Sequence, residues 1–228
     1  MTPAELNMEL GWTAQRGDVE KVKALIVSGA DVNSRSDLSH TPLMYAVYYG
    51  HYEVAKILIE AGADVNAAHS TTHTVLYHAL EAPRLHAEVI QLLLDAVVNM
   101  DYTPLTWAIR YRVAPEIVAM LIEAGADVNE RDENGTPALN TAVRFRRNQL
   151  IDILLRSGAE INAADESSGR TALALAVEIK DTETVKQLIE AGANLEMTDT
   201  WGNTPLMTAR SKGLEEIVKL LTDAGATQ

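Results

Sequence analysis

Histidine is the first residue type in this chain whose spacing could support chemistry. The sequence holds six histidines, of which His69, His73 and His78 lie close together and His40 lies farther upstream. Neutral imidazole is a common ligand of zinc and related metals. The spacing is nevertheless poor for a tetrahedral set, because His69 and His73 fall in a turn-rich stretch, His78 falls in the following helix, and no cysteine or nearby carboxylate completes it. We therefore expect surface or helix-capping histidines and no metal site.

Arginine and aromatic side chains form a stronger cluster. Five arginines lie in the segments 110–112 and 144–147, and neither Asp nor Glu occurs within 103–112 or 134–151. Tyr, Trp and Arg anchor protein interfaces more often than other residues, and Arg can pair with both oxygens of a carboxylate or phosphate. The pattern predicts a strip that binds an acidic or phosphorylated protein segment. The alternative is that these side chains form a solvated rim, with Trp107 and Tyr45 packed between repeats. The predicted partner-binding residues are Tyr45, Tyr48, Tyr49, Tyr77, His78, Trp107, Arg110, Tyr111, Arg112, Arg144, Phe145, Arg146 and Arg147.

Signs of catalysis are missing from the sequence. It has no cysteine, no glycine-rich phosphate loop and no His-Glu-x-x-His helix, and the acidic pair Asp132-Glu133 falls in a turn where carboxylates are expected to be solvated. We predict no catalytic residues, no enzyme activity, no cofactor and no small-molecule substrate.

Composition limits the partners and the location. The chain is 47% hydrophobic and 22% charged, and no apolar run is long enough to span a bilayer. Its 32 acidic and 19 basic residues give a net charge of −13, which argues against direct binding to nucleic acid or anionic lipid. The first residues lack a secretory signal and there is no cysteine for disulfides, so a reducing cytoplasm is the expected location and no membrane partner is expected.

The elements that position these residues come from an internal repeat of about 33 residues. The string Ile-Glu-Ala-Gly-Ala-Asp-Val-Asn occurs at 59–66 and again at 122–129. Thr-Pro-Leu triplets such as Thr41-Pro42-Leu43 predict helix starts, since Thr is a good N-cap and Pro fits the first helical position. A short first helix with small residues is followed by a second helix with a heavier apolar stripe, which ends at a glycine.

On these residues the chain resembles the ankyrin-repeat family from about Leu6 to Thr227. The resemblance implies an all-α solenoid of antiparallel helix pairs with short β-hairpin fingers, whose concave face usually binds other proteins and includes the ends of the first helices. We expect a single ankyrin-repeat domain, 1–228, with about seven repeats. The expected repeats are an N-terminal cap at 1–40, internal repeats at 41–73, 74–102, 103–136, 137–170 and 171–203, and a C-terminal cap at 204–228.

One repeat is irregular. The unit that begins at Thr74 reaches Thr103 in fewer residues than its neighbours, and the stretch from Leu94 to Tyr102 lacks the Gly-Ala-Asp-Val-Asn passage. Two explanations are open: a truncated finger, or a loop that is missing from the sequence.

The predicted function is a non-catalytic scaffold that binds another protein, with an acidic or phosphorylated segment on the concave face. Two alternatives belong to other classes. An acidic decoy would occupy a nucleic-acid-binding protein through its carboxylates, and a self-associating array would pair its strip with a second copy. The decoy predicts binding that weakens steeply with salt.

Overall fold

A computed structural model describes residues 1–69, 73–84, 86–96, 98 and 103–227 of the chain. The chain divides into two compact units, Met1–Tyr102 and Thr103–Gln228. The question of a missing loop between Leu94 and Thr103 falls largely on residues 97 and 99–102, which lie outside the described residues.

The described residues of the first unit form three helix pairs. Its helices are α1 (Pro3–Arg16), α2 (Val19–Val27), α3 (Pro42–Tyr48), α4 (Tyr52–Glu60), α5 (Val75–Leu80) and α6 (Ala87–Asp95). The second unit consists of four pairs. Its helices are α7 (Pro104–Arg110), α8 (Pro115–Glu123), α9 (Ala138–Arg144), α10 (Asn148–Arg156), α11 (Ala172–Glu178), α12 (Thr182–Glu190), α13 (Pro205–Ser211) and α14 (Glu215–Asp223).

The predicted all-α repeat fold is confirmed. Between helix pairs the chain forms polar turns, which we call fingers, and within the described residues their β-structure is limited to single bridges. These bridges join Ala68 to Thr74, Arg131 to Pro137 and Ala164 to Thr171. No helix in the described part of the chain has the length and apolar character that a bilayer crossing requires.

Most of the predicted helix starts are correct. The side chains of Thr41, Thr171 and Thr204 each accept a hydrogen bond from the backbone N–H three residues later, which satisfies one of the free donors at a helix start. Thr2 adds the predicted capping box with Glu5. The prediction for Thr136-Pro137 is wrong by one residue, because Pro137 is the cap and the helix begins at Ala138.

The core of each unit contains the small and branched residues that the repeat pattern indicated. The leucines of the helix-start motifs, such as Leu43 and Leu105, are fully buried, and so are the alanines near the middle of the first helices, such as Ala46 and Ala142. A methyl group in place of a larger side chain lets neighbouring helices approach closely. Burial therefore explains why this position is small in successive repeats.

Side-chain amides join consecutive fingers within each unit. The Asn33 Oδ1 atom accepts a hydrogen bond from the backbone N–H of Asp64 at 2.7 Å, and Asn129 bonds Glu160 in the same way at 2.8 Å. Each bond links residues about one repeat apart, so it fixes the register of neighbouring repeats. The asparagine of the repeated string is thus a structural residue.

Candidate functional site

The exposed predicted residues of the first unit are tyrosines at the end of α3. Tyr49 is well exposed and its hydroxyl accepts a hydrogen bond from Gln15 Nε2 at 3.0 Å. The ring of Tyr48 packs edge-on against Tyr49, with 5.2 Å between centroids. Tyr45 is half-buried and donates its hydroxyl to Ser36 Oγ at 3.1 Å. Tyr49 is therefore the accessible part of this cluster, and Tyr48 is half-buried like Tyr45.

Two predicted binding residues of the first unit are buried. The exposed fraction is 5% for Tyr77 and 8% for His78, both on α5. Little of either side chain is available to a partner, so their burial argues against the predicted binding role. Sequence reasoning grouped them with the strip because they precede the residue pair that ends the same helix, but in this repeat their side chains pack inward.

The aromatic residues of the second unit form a stacked pair at the end of α7. The rings of Trp107 and Tyr111 lie nearly parallel, at 24°, with centroids 4.4 Å apart. Tyr111 is 62% exposed although it is a large ring, and Trp107 supports it from the half-buried side. A stacked, partly exposed aromatic pair is a rigid contact area that loses little entropy on binding.

Two arginines at the end of α9 have structural roles. Arg147 donates to the backbone carbonyls of Ile109 and Val113, at 2.8 and 2.6 Å, and so ties α9 to the end of α7. Burial, followed by repulsion from Arg112, lowers the pKa of Arg147. Arg146 donates to the carbonyl of Ile179 at 2.6 Å. We conclude that these two guanidinium groups hold neighbouring repeats together.

Arg110 is neutralised inside its own unit. Its guanidinium lies 2.6 Å from the carboxylate of Asp132 and 3.5 Å from that of Glu133, both on the following finger. Burial acts to raise the pKa of Asp132, but hydrogen bonds from the Thr136 and Asn134 backbone, together with Arg110, hold this pKa below its usual value. Asp132 therefore stays ionised and paired, which reduces the positive charge of the predicted strip.

Arg112 and Arg144 remain the more available cations. Arg112 is exposed, and no salt bridge joins its side chain to any other residue that the structure describes. The Arg144 side chain is 49% exposed, with the Asp165 carboxylate 4.0 Å away. A small polar pocket of about 270 Å³ has Arg144, Phe145 and Arg110 in its lining. We define the basic-aromatic surface as Trp107, Tyr111, Arg112, Arg144 and Phe145.

Histidines that the sequence analysis separated are close together in the first unit. One ring nitrogen from each of His40, His69 and His78 lies within 4.8 Å of the other two. Burial, followed by repulsion from His40, His69 and His73, lowers the pKa of His78 to about 4. The argument that finger and helix positions keep these residues apart is therefore wrong. The residues are one repeat apart or on adjacent elements, so stacked fingers bring them together.

A buried carboxylate caps α7 in place of the expected threonine. Thr103 makes no capping bond with its side chain, and the Glu130 carboxylate accepts the Thr106 backbone N–H instead. Burial raises the pKa of Glu130 to about 7, although hydrogen bonds from Thr106 and Leu105 act in the opposite direction. The sequence contains no signal for this role, because Glu130 lies in the next finger along the chain.

Exposed apolar residues on α1 were missed by the sequence analysis. Trp12 is 51% exposed and Met8, one turn earlier, is similarly exposed. Together with Tyr45 and Arg35 they line a groove of about 650 Å³ within the first unit. The signal was available, because Met8 and Trp12 are spaced to lie on one face of the first predicted helix.

The repeated helix pairs and the polar fingers between them define a class of all-α repeat protein. The family model described as ankyrin repeats (3 copies) matches residues 10–101, 66–132, 85–165 and 139–228. The chain therefore belongs to the ankyrin-repeat family, as its motifs predicted. Ankyrin repeats generally mediate interactions between proteins.

Similar proteins come from different sources. The Nuclear factor NF-kappa-B p105 subunit of Gallus gallus is 29% identical over 191 residues, which cover 62% of this chain and 19% of that protein. Protein PhlB of Serratia liquefaciens is 34% identical over 125 residues, which cover 55% of each protein. The chain thus spans at most about half the length of these curated relatives.

A solved structure shows the same fold. The human ASB11 ankyrin repeat domain has a TM-score of 0.75 with this chain, at 24% sequence identity. The similarity covers 96% of this chain and 98% of the solved chain. At this identity the comparison establishes the fold alone.

Proposed function

We propose that this protein is a non-catalytic binding protein that recognises an acidic or phosphorylated segment of another protein through the basic-aromatic surface. The observation that carries the proposal is the stack of the exposed Tyr111 on the half-buried Trp107, with Arg112 and Arg144 at the ends of α7 and α9, in a chain whose net charge is −13. A partly exposed ring pair supplies contact area, and a guanidinium supplies paired donors for a carboxylate or phosphate.

The positions of Arg112 and Arg144 favour the binding of one anionic segment over nonspecific attraction of negative charge. Arg147 bonds the carbonyls of Ile109 and Val113, so the end of α9 lies against the end of α7. Arg112 is close enough to Arg147 to lower its pKa. A short extended peptide can therefore reach the aromatic stack and an arginine from each helix end.

The backbone conformation of Arg112 recurs along the second unit. This residue has φ of 61°, in the left-handed region that non-glycine residues adopt at some cost. Glycine occupies the corresponding turn after α1 and after α3, as Gly17 and Gly50, whereas Arg146 and Lys180 occupy it after α9 and α11. The support that Arg112 gives to a binding role is therefore its exposure, not its backbone strain.

The basic-aromatic surface would be part of the concave binding face that ankyrin repeats build from the ends of their first helices. The seven helix pairs support the seven-repeat division of one domain given above. The absence of cysteine supports a cytoplasmic location.

Peptide binding tests the proposal. Fluorescence anisotropy would measure labelled peptides that share one tyrosine-containing core and carry glutamates, phosphoserines or lysines around it. The wild-type chain should prefer the glutamate and phosphoserine peptides, with affinity that falls as salt rises. The double variant Arg112→Glu and Arg144→Glu should bind them at least about tenfold more weakly.

A matched control has the same change in net charge. Arg156→Glu with Lys186→Glu reverses two exposed cations on the second helices of the second unit, and it should bind within about twofold of wild type. Equal losses in both double variants, or no preference for acidic peptides, would rule out the basic-aromatic surface. Arg110 and Arg147 are left unchanged because they hold the unit together.

The alternatives give different results in the same experiments. An acidic decoy would prefer the lysine peptides and would keep its binding in the Arg112 and Arg144 double variant. A self-associating array would show an average mass that rises with concentration in sedimentation equilibrium, and the double variant would remove that rise.

A further inference from the structure

We propose that His40, His69 and His78 form a zinc-binding site in the first unit. The three side chains come from three elements, since His40 ends the finger before α3, His69 lies in the finger before α5, and His78 lies on α5. The proposed site is independent of the basic-aromatic surface, which belongs to the other unit.

The geometry of the rings fits a three-imidazole site after small rotations. Ring centroids are 4.6 Å apart for His40 and His69, 4.9 Å for His40 and His78, and 5.2 Å for His69 and His78. Tetrahedral zinc with bonds of about 2.0 to 2.1 Å places its ligand nitrogens about 3.3 Å apart. The nitrogens, now within 4.8 Å, must therefore approach one another by up to about 1.5 Å.

The side chains differ in their freedom to make this adjustment. His40 and His69 are half-buried residues of fingers, whereas His78 is buried on a helix. Rotation about the side-chain bonds of the two finger residues can bring their nitrogens toward His78. The buried His78 thus serves as the fixed ligand around which the other two close.

Two nitrogens of this cluster lack the partner that buried polar atoms normally have. His40 Nδ1 and His78 Nε2 are buried and accept or donate no hydrogen bond within the described structure. Most buried polar atoms in proteins are hydrogen-bonded, and an exception calls for an explanation. A metal ion bound by both nitrogens would supply the missing interaction.

Neighbouring groups hold the finger residues in place. The His40 backbone N–H donates to Ser36 Oγ at 3.2 Å, and Ser36 Oγ also accepts the hydroxyl of Tyr45. The His69 backbone N–H donates to the carbonyl of His73 at 3.2 Å. Three imidazoles leave a fourth tetrahedral position for water or for the nearby His73, whose ring centroid is 5.0 Å from that of His69.

Zinc titration of the untagged 228-residue chain tests the site. Protein stripped of metal with a chelator would be titrated with zinc chloride by isothermal calorimetry in a buffer that does not bind zinc. We expect one ion per chain, with a dissociation constant on the order of 1 µM or below. Cobalt, as a spectroscopic substitute, should give the intense visible absorption of tetrahedral coordination.

Variants of the finger ligands distinguish this site from weak surface binding. His40→Gln and His69→Gln should each weaken zinc binding at least about tenfold, and the double variant should remove it. His86→Gln, which removes a histidine outside the cluster, should bind like wild type. Melting curves without metal would show that each variant is folded. Zinc should raise the melting temperature of wild type and His86→Gln most, that of each single ligand variant less, and that of the double variant not at all.

Clear results would overturn the proposal. These are zinc affinity weaker than about 100 µM, octahedral cobalt absorption, or equal affinity in the folded His40→Gln and His86→Gln proteins.

Discussion

The same position in the finger carries different chemistry in the two units. In the second unit it is an aspartate, at Asp132, Asp165 and Asp199. The Asp132 carboxylate accepts the backbone N–H groups of Asn134 and Thr136, both at 2.9 Å, and pairs with an arginine. In the first unit the equivalent residues are Ser36 and His69, and His69 packs against other imidazoles.

This difference shows how one scaffold position can serve structure or binding. An ionised carboxylate accepts several hydrogen bonds at once. In the finger it accepts backbone N–H groups, so few of its acceptor sites remain for a ligand. A neutral imidazole has one donor and one acceptor and cannot replace those bonds. The aspartate of a finger is thus hydrogen-bonded within that finger, whereas the histidine keeps a ring nitrogen that can bind a ligand.

Replacing this residue in each unit should give the largest contrast in stability. Asp165→Ala should lower the free energy of unfolding by about 1 to 3 kcal/mol, because it removes the acceptor of the half-buried Ser168 N–H and hydroxyl. His69→Ala, measured without metal, should change it by less than about 1 kcal/mol. Urea unfolding followed by circular dichroism provides both values.

The contrast between the two fingers can be contradicted by the same measurement. If His69→Ala proved as destabilising as Asp165→Ala in metal-free protein, the histidine finger would be as tightly integrated as the aspartate finger.

Two acidic residues of one finger should respond to pH in opposite ways. Burial raises the pKa of Glu130 to about 7, so its contribution to stability is complete at low pH and is lost as the pH rises through 7. Glu130→Gln should therefore match wild type near pH 4 and exceed its stability near pH 9 by about 1 to 3 kcal/mol. Chemical unfolding at both pH values measures the difference.

The lowered pKa of Asp132 has the opposite consequence. Its contribution is present at neutral pH and declines as the pH falls through the lowered pKa. Glu133→Gln, at an exposed neighbouring carboxylate, is the control for Glu130→Gln. A gain for Glu130→Gln that is equal at pH 4 and pH 9 would contradict the burial of an ionised carboxylate.

Arginines within the second unit should separate into structural and available groups. Arg147→Met removes the bonds to Ile109 and Val113 and should lower the free energy of unfolding by about 1 to 3 kcal/mol. Arg112→Met should change it by less than about 0.5 kcal/mol, because the side chain is exposed. Thermal and urea unfolding of the two variants measures both losses. Equal losses would show that Arg112 and Arg147 do not differ in structural role.

The smallest expected effect concerns the left-handed turns. Arg112→Gly should raise the free energy of unfolding by about 0.5 kcal/mol, since relief of backbone strain slightly exceeds the entropic disadvantage of glycine. The same variant should weaken binding of the acidic peptides. A substitution that stabilises the fold and impairs binding would support retention of Arg112 for a partner; unchanged peptide affinity would argue against it.

Sequence reasoning succeeded where the relevant physics is local. Helix starts at Thr41 and Thr204, glycines after the second helices and the buried alanines follow from capping, backbone conformation and periodicity within one repeat. It failed for Tyr77 and His78, which are buried, and for the capping role of Glu130. Those outcomes depend on side chains from a neighbouring repeat.

The sequence by itself determined the family, the helix pairs and the two places where arginine and histidine are concentrated. Only the tertiary structure decided which of those side chains have partners. Arg147 reaches the carbonyl of Ile109, and His40 meets His69, across about one repeat of chain. The stacking of repeats creates these contacts. No pattern within one repeat encodes how far a side chain reaches into the next repeat. That reach decides which arginines are structural and which are available, and it brings the histidines together.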